Sequence, residues 1–309
     1  MTASSERRWS IDWDRRLMRT VLFVPGSDSR KLAKAETVGA DVVVFDLEDA
    51  VAESKKAEAR DLTRAAIRPA AARGPVAVRV NGLDSGRMEE DIAAVAVPGL
   101  DAIVVPKVED PDALAAADRA LALAERAQRL SPGSVGLIAI VETALGVVRC
   151  EDILLAAPRR TVTTMFGLAD FATALGVDVT PEGRELFYAR SRLIVATRAA
   201  GLVAPLDGPY LDVEDDDGLL RDSRRSRQLG FQGRLALHPR QIEPIQRAFS
   251  ELSEVELAAA RRIVAAFQEA EGGGRASIRV DGRFVDYPLY NRAREKLLRH
   301  DAYMRAARR

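Results

Sequence analysis

The feature that most constrains this chain is a regular alternation of short apolar runs with longer amphipathic segments. Eight runs rich in β-branched residues, each bounded by Gly, Pro or Asp, predict strands at 20–26, 41–48, 76–82, 101–108, 136–143, 161–170, 202–210 and 234–239. The segments after them have helical spacing and predict helices at 29–38, 54–70, 86–96, 111–129, 144–156, 183–199, 215–229 and 240–250. Eight strand–helix units in about 230 residues favour an α/β fold, a (β/α)₈ TIM barrel of parallel strands buried on both faces. A doubly wound open sheet is the alternative, but the sequence has no G-x-G-x-x-G or Walker-type loop.

The same pattern divides the chain into three segments. Residues 1–18 form an N-terminal extension, residues 19–250 the barrel, and residues 251–309 a C-terminal segment of a different kind. This last segment predicts a helix, a glycine-rich break, a short hairpin whose turn contains Gly282, and a final helix. We expect this helix–hairpin–helix to be a lid or oligomerisation segment; a disordered connector to a packing helix is the alternative.

The composition argues against several classes of function. Lys and Arg number 46, as do Asp and Glu, in 309 residues, so no nucleic-acid partner is expected. The apolar runs are far shorter than the roughly 20 residues that cross a bilayer, and no secretory signal is found, so we expect a cytoplasmic protein without membrane contact. The single cysteine, Cys150, cannot form an internal disulfide, and two histidines argue against a His-rich zinc site.

Chemically useful side chains follow the C-terminal ends of the predicted strands, where the active site of a TIM barrel lies. These residues are Asp46, Glu48, Asp49, Arg79, Asn81, Lys107, Glu109, Glu142, Asp170, Asp207 and His238. Each one alone could be a turn former or a helix cap. Glu142 and Asp170 fit that interpretation less well, because each carboxylate follows a very apolar strand and needs a cation or donors nearby. Converging carboxylates without soft ligands favour a hard divalent ion such as Mg²⁺.

Three further side chains each have two interpretations. Arg79 offers a two-donor fork for a substrate carboxylate or an enolate oxygen, with a structural ion pair inside the barrel as the alternative. His238 could take part in acid–base chemistry or fix the turn before the proline that follows it. For Lys107, a Schiff-base role is less favoured than an ion pair among the carboxylates, which would keep the amine protonated.

An ordered set of segments resembles one known family. The segments are "LFVPGSDSRKLAKA", "GADVVVFDLEDAV", "VRVNG", "IVVPKVE", "IVETALGV", "FGLADFATALG", "LALHPRQ" and "DGRFVDYPLYNRA". Together they resemble the HpcH/HpaI aldolase and citrate lyase β-subunit family, in particular its CitE-like and malyl-CoA or citramalyl-CoA lyase branch. Arg234, where a lysine is expected, and Ala169, where some members have an acidic residue, depart from the pattern without removing a predicted metal ligand.

The resemblance implies a Mg²⁺-dependent carbon–carbon lyase. Its substrate would be a 2-hydroxyacyl-CoA such as malyl-CoA or citramalyl-CoA, cleaved into a 2-ketoacid and acetyl-CoA by way of a metal-bound ketoacid and an enolate, or formed from them. The resemblance implies that Glu142 and Asp170 bind the metal, with Mn²⁺ as a second candidate ion, and that Arg79 faces the reacting oxygens. Asp286 would be the catalytic carboxylate that the lid donates to a neighbouring subunit of a homotrimer or hexamer.

The resemblance also places the substrate. The backbone around Ala169 and Phe171 would bind the substrate carboxylate. The first strand–helix loop and the lid would bind the CoA thioester, which makes Arg30 and Lys34 candidates for contacts with its phosphates.

The carboxylates of "DLED" have a supporting role in this interpretation. Glu48 and Asp49 would hydrogen-bond the waters on the metal and orient basic neighbours, whereas Asp46 has no assigned role. Three alternative functions stay open: a malyl-CoA-type thioesterase, an aldolase or lyase of free hydroxyacids such as citramalate, and a non-catalytic ketoacid-binding or lyase-complex subunit.

Overall fold

The protein contains a closed barrel of eight parallel strands, and the order of the strands around it is their order in the chain. The structure is a computed structural model that describes residues 17–306, so the predicted N-terminal extension lies outside the described residues up to position 16. The barrel confirms the predicted (β/α)₈ TIM-barrel fold. Its strands are β1 Thr20–Pro25, β2 Val42–Asp46, β3 Val76–Arg79, β4 Ala102–Val105, β5 Gly136–Val141, β6 Thr161–Phe166, β7 Leu206–Asp207 and β8 Gly233–Ala236.

Helices follow the strands and form the outer layer of the barrel. They are α1 Ser29–Ala35, α2 Lys56–Ala71, α3 Met88–Val95, α4 Pro111–Ala127, α5 Ala144–Leu155, α6 Leu168–Leu175, α7 Phe187–Ala199, α8 Asp216–Leu229 and α9 Ile242–Ser250. Within the described part of the chain, no helix combines the length and the apolar character needed to cross a membrane.

Two elements differ from the sequence prediction. The apolar run over 161–170 predicts one strand, but β6 ends at Phe166 and helix α6 begins two residues later. Periodicity alone does not distinguish a buried strand from a buried helix, which is why α6 was missed. Asp170 therefore lies in the first turn of a helix and not at a strand end. Strand β7 is shorter than predicted because Pro205 and Pro209 bound it and proline has no amide hydrogen for the ladder.

The alternation of side chains along the strands determines what reaches the barrel mouth. Val42 and Val44 of β2 pack inside the barrel, whereas Val43 and Phe45 pack on the outer face of the sheet with residues of the helices. The same alternation puts Asp46 on the inner face at the end of β2, Arg79 at the end of β3, and Glu142 directly after β5. Three charged side chains thus point into the C-terminal end of the barrel.

Residues 250–309 form a second compact unit, separate from residues 1–249. Ser253 and Glu256 form a capping box at the start of its first helix. Its small core is aromatic, with the rings of Phe267 and Tyr290 stacked 4.7 Å apart. The elements are α10 Glu254–Gly272, β9 Ser277–Val280, β10 Arg283–Asp286 and α11 Tyr287–Ala306, which is the predicted helix–hairpin–helix.

A buried charge network joins the sheet to the outer helices. Arg234 of β8 is fully buried, and its Nη2 lies 2.9 Å from a carboxylate oxygen of Asp222 on α8. Asp222 also accepts from Arg190 of α7 at 3.2 Å, and Arg190 in turn reaches Asp207 of β7 at 3.0 Å. The charge of Arg234, followed by that of Arg190, lowers the pKa of Asp222 against the opposing effect of burial.

We predict that Asp222→Ala lowers the free energy of unfolding by about 3–5 kcal/mol, because it leaves two buried guanidinium groups without their shared carboxylate. Urea unfolding followed by circular dichroism measures the change. Asp217→Ala, at an exposed position of the same helix, is the control and should change the free energy by no more than about 0.5 kcal/mol. Equal losses in the two variants would contradict this role of the network.

Candidate active site

The inner rim of the barrel mouth contains a bidentate ion pair between neighbouring strands. Asp46 and Arg79 are register partners at the ends of β2 and β3. Arg79 donates from Nε to Asp46 Oδ1 at 2.8 Å and from Nη2 to Oδ2 at 2.6 Å. Burial alone would lower the pKa of Arg79, but the hydrogen bonds and charge of Asp46, together with Glu48 and Glu142, raise it. Arg79 is therefore a fixed cation, and most of its fork is occupied by protein carboxylates.

The loop after β2 brings two more carboxylates to this cation. Asp46 accepts hydrogen bonds from the amides of Glu48 at 2.9 Å and Ala50 at 3.2 Å, which folds the loop over the strand end. Glu48 Oε2 then lies 2.8 Å from Arg79 Nη1, and Glu48 Oε1 accepts from Lys107 Nζ at 2.7 Å. Glu48 thus contacts two basic neighbours, and its predicted role in orienting them and the waters on a metal stays a prediction.

Lys107 belongs to the same cluster. Besides Glu48, its ammonium lies 3.4 Å from Asp49 Oδ1. Burial would lower the pKa of Lys107, but the hydrogen bond and charge of Glu48, with Asp49 and Glu142, raise it above its ordinary value. A Schiff-base role needs a neutral amine, so the structure favours the ion-pair interpretation of Lys107.

A buried lysine, Lys56 of α2, binds the backbone of the loop after β2. Lys56 Nζ donates to the carbonyls of Leu47 and Glu48, both at 2.8 Å, and to Asn81 Oδ1 at 2.7 Å. Asn81 in turn donates to Asp91 Oδ2 at 2.6 Å. All three ammonium protons of Lys56 are used within the protein, so the position of Glu48 is determined by the scaffold.

Glu142 faces the mouth from the end of β5, two strands along the barrel from β3. Its side chain is 2% exposed, and its Oε1 accepts from the Lys107 amide at 2.7 Å. Burial, and then the charges of Asp170 and Glu48, raise the pKa of Glu142 to about 8. Gly167 leaves room for this side chain, because a Cβ at that position would overlap Glu142 Cβ and Oε2. The ionised form of Glu142 therefore requires a nearby positive charge.

Helix α6 contributes Asp170 and the amides of its first turn. Asp170 is half buried, and its charge raises the pKa of Glu142, so the two carboxylates share one electrostatic environment. Gly167, the N-cap, supplies no side-chain hydrogen bond to the first turn. The Phe171 amide, predicted to contact substrate, donates instead to the Gly167 carbonyl at 3.0 Å. This corrects the prediction for Phe171, since its N–H is used within the helix, while Ala169 is exposed at the helix start.

The two carboxylates fit a hard divalent cation. No group of three or more His, Cys, Asp or Glu side chains with metal-binding geometry occurs in residues 17–306. Glu142 and Asp170 alone suit Mg²⁺, which typically uses one or two carboxylates and completes its shell with water and substrate oxygens. Burial, and then the charge of Asp170, raise the pKa of Glu142 even though the Lys107 amide and the charge of Arg79 act to lower it.

The predicted CoA-binding residues lie on a second part of the mouth. Arg30 and Lys34 are exposed on α1 and line a cavity of about 540 Å³ together with Phe23 of β1. His238 lines the same cavity, but its Nδ1 accepts from the Arg240 amide at 3.2 Å. The structure thus shows the turn-fixing contact that was one of the two interpretations of His238.

Asp286 lies in the second unit, as the last residue of β10. It is half buried, and its Oδ1 accepts from the Leu289 amide at 3.4 Å at the start of α11. Asp281 and Gly282 both have positive φ, 50° and 79°, and make the tight turn that places Asp286 at the end of the returning strand. Its catalytic role stays a prediction.

Sequence reasoning missed several residues that build the site. Asp46 received no role, although it ends a strand adjacent to the one that ends in Arg79; that register was the available signal. The sequence contains no comparable signal for Lys56 or Gly167, because a lysine in a helix and a glycine after a strand have many ordinary explanations. Their functions depend on tertiary contacts.

The fold and the carboxylate-rich mouth are those of a TIM-barrel enzyme. The model of the HpcH/HpaI aldolase/citrate lyase family matches residues 19–239. The chain belongs to this family and is an enzyme of the carbon–carbon lyase class, which confirms the resemblance of its ordered segments.

Curated relatives match nearly the whole chain. Citrate lyase subunit beta from Leuconostoc mesenteroides subsp. cremoris is 35% identical over 283 residues, which cover 90% of this chain and 91% of the relative. The (3S)-malyl-CoA thioesterase from Cereibacter sphaeroides is 38% identical over 286 residues, with coverage of 92% and 95%. Mitochondrial citramalyl-CoA lyase from Rattus norvegicus is 34% identical over 288 residues, with coverage of 89% and 83%.

Solved structures show the same architecture. The crystal structure of the protein CitE from Mycobacterium tuberculosis, in complex with magnesium, acetoacetate and coenzyme A, is similar with a TM-score of 0.73 and 30% sequence identity. The similarity covers 92% of this chain and 98% of that one.

We predict that Glu142→Gln stabilises the protein in metal-free buffer, and that the gain grows with pH. The pKa of about 8 in the folded state lies above the ordinary 4.5, so the wild type has its full stability below about pH 4.5 and loses stability as the pH rises through 8. Gln keeps an acceptor for the Lys107 amide and does not ionise.

Thermal unfolding in EDTA at pH 5 and pH 8.5 measures the effect. The stability difference between variant and wild type should be larger at pH 8.5, whereas Glu151→Gln, at an exposed position on α5, should show no such pH dependence. A difference that is constant across this range would mean that Glu142 ionises without cost.

Proposed function

We propose that this chain is a Mg²⁺-dependent lyase of the CoA thioester of a 2-hydroxy acid, such as malyl-CoA or citramalyl-CoA. It would cleave, or in reverse form, the carbon–carbon bond between the hydroxyl-bearing carbon and the carbon next to the thioester. The products of cleavage would be a 2-ketoacid (glyoxylate, pyruvate or oxaloacetate) and acetyl-CoA. The observation that carries the proposal is the pair Glu142 and Asp170 at the barrel mouth, beside a fixed Arg79. Relatives named for citramalyl-CoA and malyl-CoA, and a similar structure with magnesium and coenzyme A, support it.

Glu142 and Asp170 would hold the metal, which when bound supplies a Lewis acid that stabilises negative charge on substrate oxygens. Arg79 adds a second positive charge. Two of its five N–H groups donate to Asp46, and Nη1 forms an ion pair with Glu48 at 2.8 Å. The N–H groups that are not bonded to Asp46 would face an oxygen of the substrate as charge develops on it. The bidentate pair fixes their direction before the substrate arrives.

The start of α6 would bind the substrate carboxylate. The amides of Leu168, Ala169 and Asp170 form the first turn, and the N-cap residue supplies no side-chain acceptor for them. A helix N-terminus favours an anion, and this one begins beside the two carboxylates assigned to the metal. The interaction would orient the 2-hydroxy acid toward Arg79.

Asp286 is the proposed acid–base group. Cleavage moves one proton from the substrate hydroxyl, which becomes the ketone, to the carbon of the departing acetyl enolate, and condensation moves it back. Asp286 would protonate that carbon in cleavage and remove its proton in condensation. As part of this proposal, the second unit is a lid that donates Asp286 to a neighbouring subunit, which requires a homo-oligomer such as a trimer or hexamer. Cytoplasmic location stays a prediction.

The cavity beside α1 suits the CoA moiety. Arg30 and Lys34 supply two exposed cations on one helix, suited to phosphate groups, and the cavity between α1 and the ends of β1 and β8 is largely apolar. A volume of about 540 Å³ can hold part of an extended thioester arm.

Thioester hydrolysis is the second candidate, because the relative at 38% identity is a (3S)-malyl-CoA thioesterase. A lyase and a thioesterase would use the same metal and the same Arg79. The lyase would break the carbon–carbon bond and release an enolate, whereas the thioesterase would let water hydrolyse the thioester. A role as a subunit of a larger lyase has one observation in its favour, the name of the citrate lyase subunit beta.

A substrate panel tests the proposal directly. The protein with Mg²⁺ is incubated with malyl-CoA, citramalyl-CoA and the free acids, and ketoacid and free thiol are measured separately. We expect ketoacid without thiol from a CoA thioester, and loss of turnover in Asp170→Ala. Thiol without ketoacid identifies the thioesterase, ketoacid from free acids alone identifies a lyase of free hydroxyacids, and no reaction with any substrate contradicts the catalytic proposal.

We predict that Asp286→Asn lowers kcat by about 10²–10⁴-fold, the usual range for loss of a general acid or base, while the affinities for Mg²⁺ and ketoacid stay unchanged. Steady-state kinetics and calorimetry measure the two effects. Asp281→Asn, in the turn of the same hairpin, is the matched control and should keep wild-type kcat. Wild-type kcat in Asp286→Asn would reduce the hairpin to a structural element.

A further inference from the structure

We propose that Lys107 is a positioning residue that holds Glu142 through its main chain. The proposal rests on the proposed function, in which Glu142 binds the metal. It goes beyond that function because it assigns the orientation of a metal-binding carboxylate to an unusual backbone conformation. The sequence predicts a role only for the ammonium group of Lys107, and none for its main chain.

The main chain at Lys107 is left-handed. Its φ is 51°, and within the described residues only Arg129 and Asp281 share a positive φ among the non-glycine positions. This conformation is disfavoured for a residue with a Cβ by about 1–2 kcal/mol. The irregularity is confined to the end of β4, because the next amide, that of Val108, donates to the Ile140 carbonyl of β5 at 3.1 Å.

The peptide that enters the left-handed turn directs its amide at Glu142, while the positive φ of Lys107 turns the chain that follows back to β5. The N–H of Lys107 donates to Glu142 Oε1 at 2.7 Å. Among residues 17–306, the Lys107 amide is the group that donates a hydrogen bond to the Glu142 carboxylate. This hydrogen bond opposes the rise in the pKa of Glu142. Gly167 removes the steric obstacle on the other side of the same side chain. Glu142 is thus held between an amide and a glycine, both of them backbone features.

The side chain of Lys107 explains why this position is not glycine. Glycine would adopt a positive φ without strain, but it would supply no cation. The ammonium of Lys107 donates to Glu48 Oε1 at 2.7 Å, and Glu48 is itself held by the β2 loop. This contact anchors the residue in its disfavoured conformation. Lys107 therefore links the β2 carboxylates to Glu142 on β5.

Two variants without the ammonium separate the main chain from the side chain. Lys107→Gly keeps access to a positive φ, whereas Lys107→Val carries a β-branched side chain that avoids it. We expect Lys107→Val to bind Mg²⁺ about 10–100-fold more weakly than Lys107→Gly in calorimetric titrations, the usual range for loss of a residue that orients a metal ligand. Equal Mg²⁺ affinities in the two folded variants would overturn the proposal.

Amide hydrogen exchange tests the same contact without metal. The chain has six lysines, so ¹⁵N-lysine labelling gives a small set of signals, and loss of one signal in Lys107→Arg assigns Lys107. Its amide should exchange slowly in the wild type and fast in Glu142→Ala, while Glu109→Ala, which removes a carboxylate two residues away, leaves it slow. The other five signals report whether the fold is intact.

Unchanged exchange in Glu142→Ala would overturn the proposal even if Mg²⁺ binds. Conversely, a wild type that binds no Mg²⁺ but shows the Glu142-dependent protection would refute the metal site and leave the positioning contact established. Failure of the proposed function and failure of this inference therefore give different results.

Discussion

The bidentate pair between Asp46 and Arg79 is the interaction on which the rest of the site depends. Parallel register brings the ends of β2 and β3 side by side, and the alternation of side chains turns both residues into the barrel. Asp46 then uses the same two oxygens to accept amides of the following loop, which places Glu48 against Arg79. The Asp46 carboxylate thus orients both Arg79 and the loop after β2, whose Glu48 pairs with Arg79.

The charges at the mouth are distributed unequally. Arg79 and Lys107 are paired with the three carboxylates of the β2 segment. Across the mouth, Glu142 and Asp170 form no ion pair with any Lys or Arg side chain among the residues that the structure describes, and the pKa of Glu142 rises to about 8, mainly through burial. Burying a carboxylate without a partner is costly. The proposed divalent cation would offset this imbalance, and the proposed chemistry would use the same cation.

The sequence predicted the fold well because the evidence for it is repeated eight times. It also placed Arg79 and Glu142 at one mouth, since strand ends meet there, whereas Asp170 comes from the first turn of α6 and not from a strand end. It failed where a single local pattern has two meanings, as in the apolar run that became β6 and α6, and it gave no sign of the left-handed backbone at Lys107. Contacts such as these depend on which strands are adjacent and on backbone angles, neither of which periodicity contains.

The central claim is that Glu142 and Asp170 form one divalent-cation site. It is tested most directly by an anomalous difference map from crystals grown with Mn²⁺, which scatters anomalously and resembles Mg²⁺ in its preference for oxygen ligands. We expect a peak between these two carboxylates that is lost in Asp170→Ala. A map without a peak there, or with its peak beside Glu48 and Asp49 instead, would contradict it.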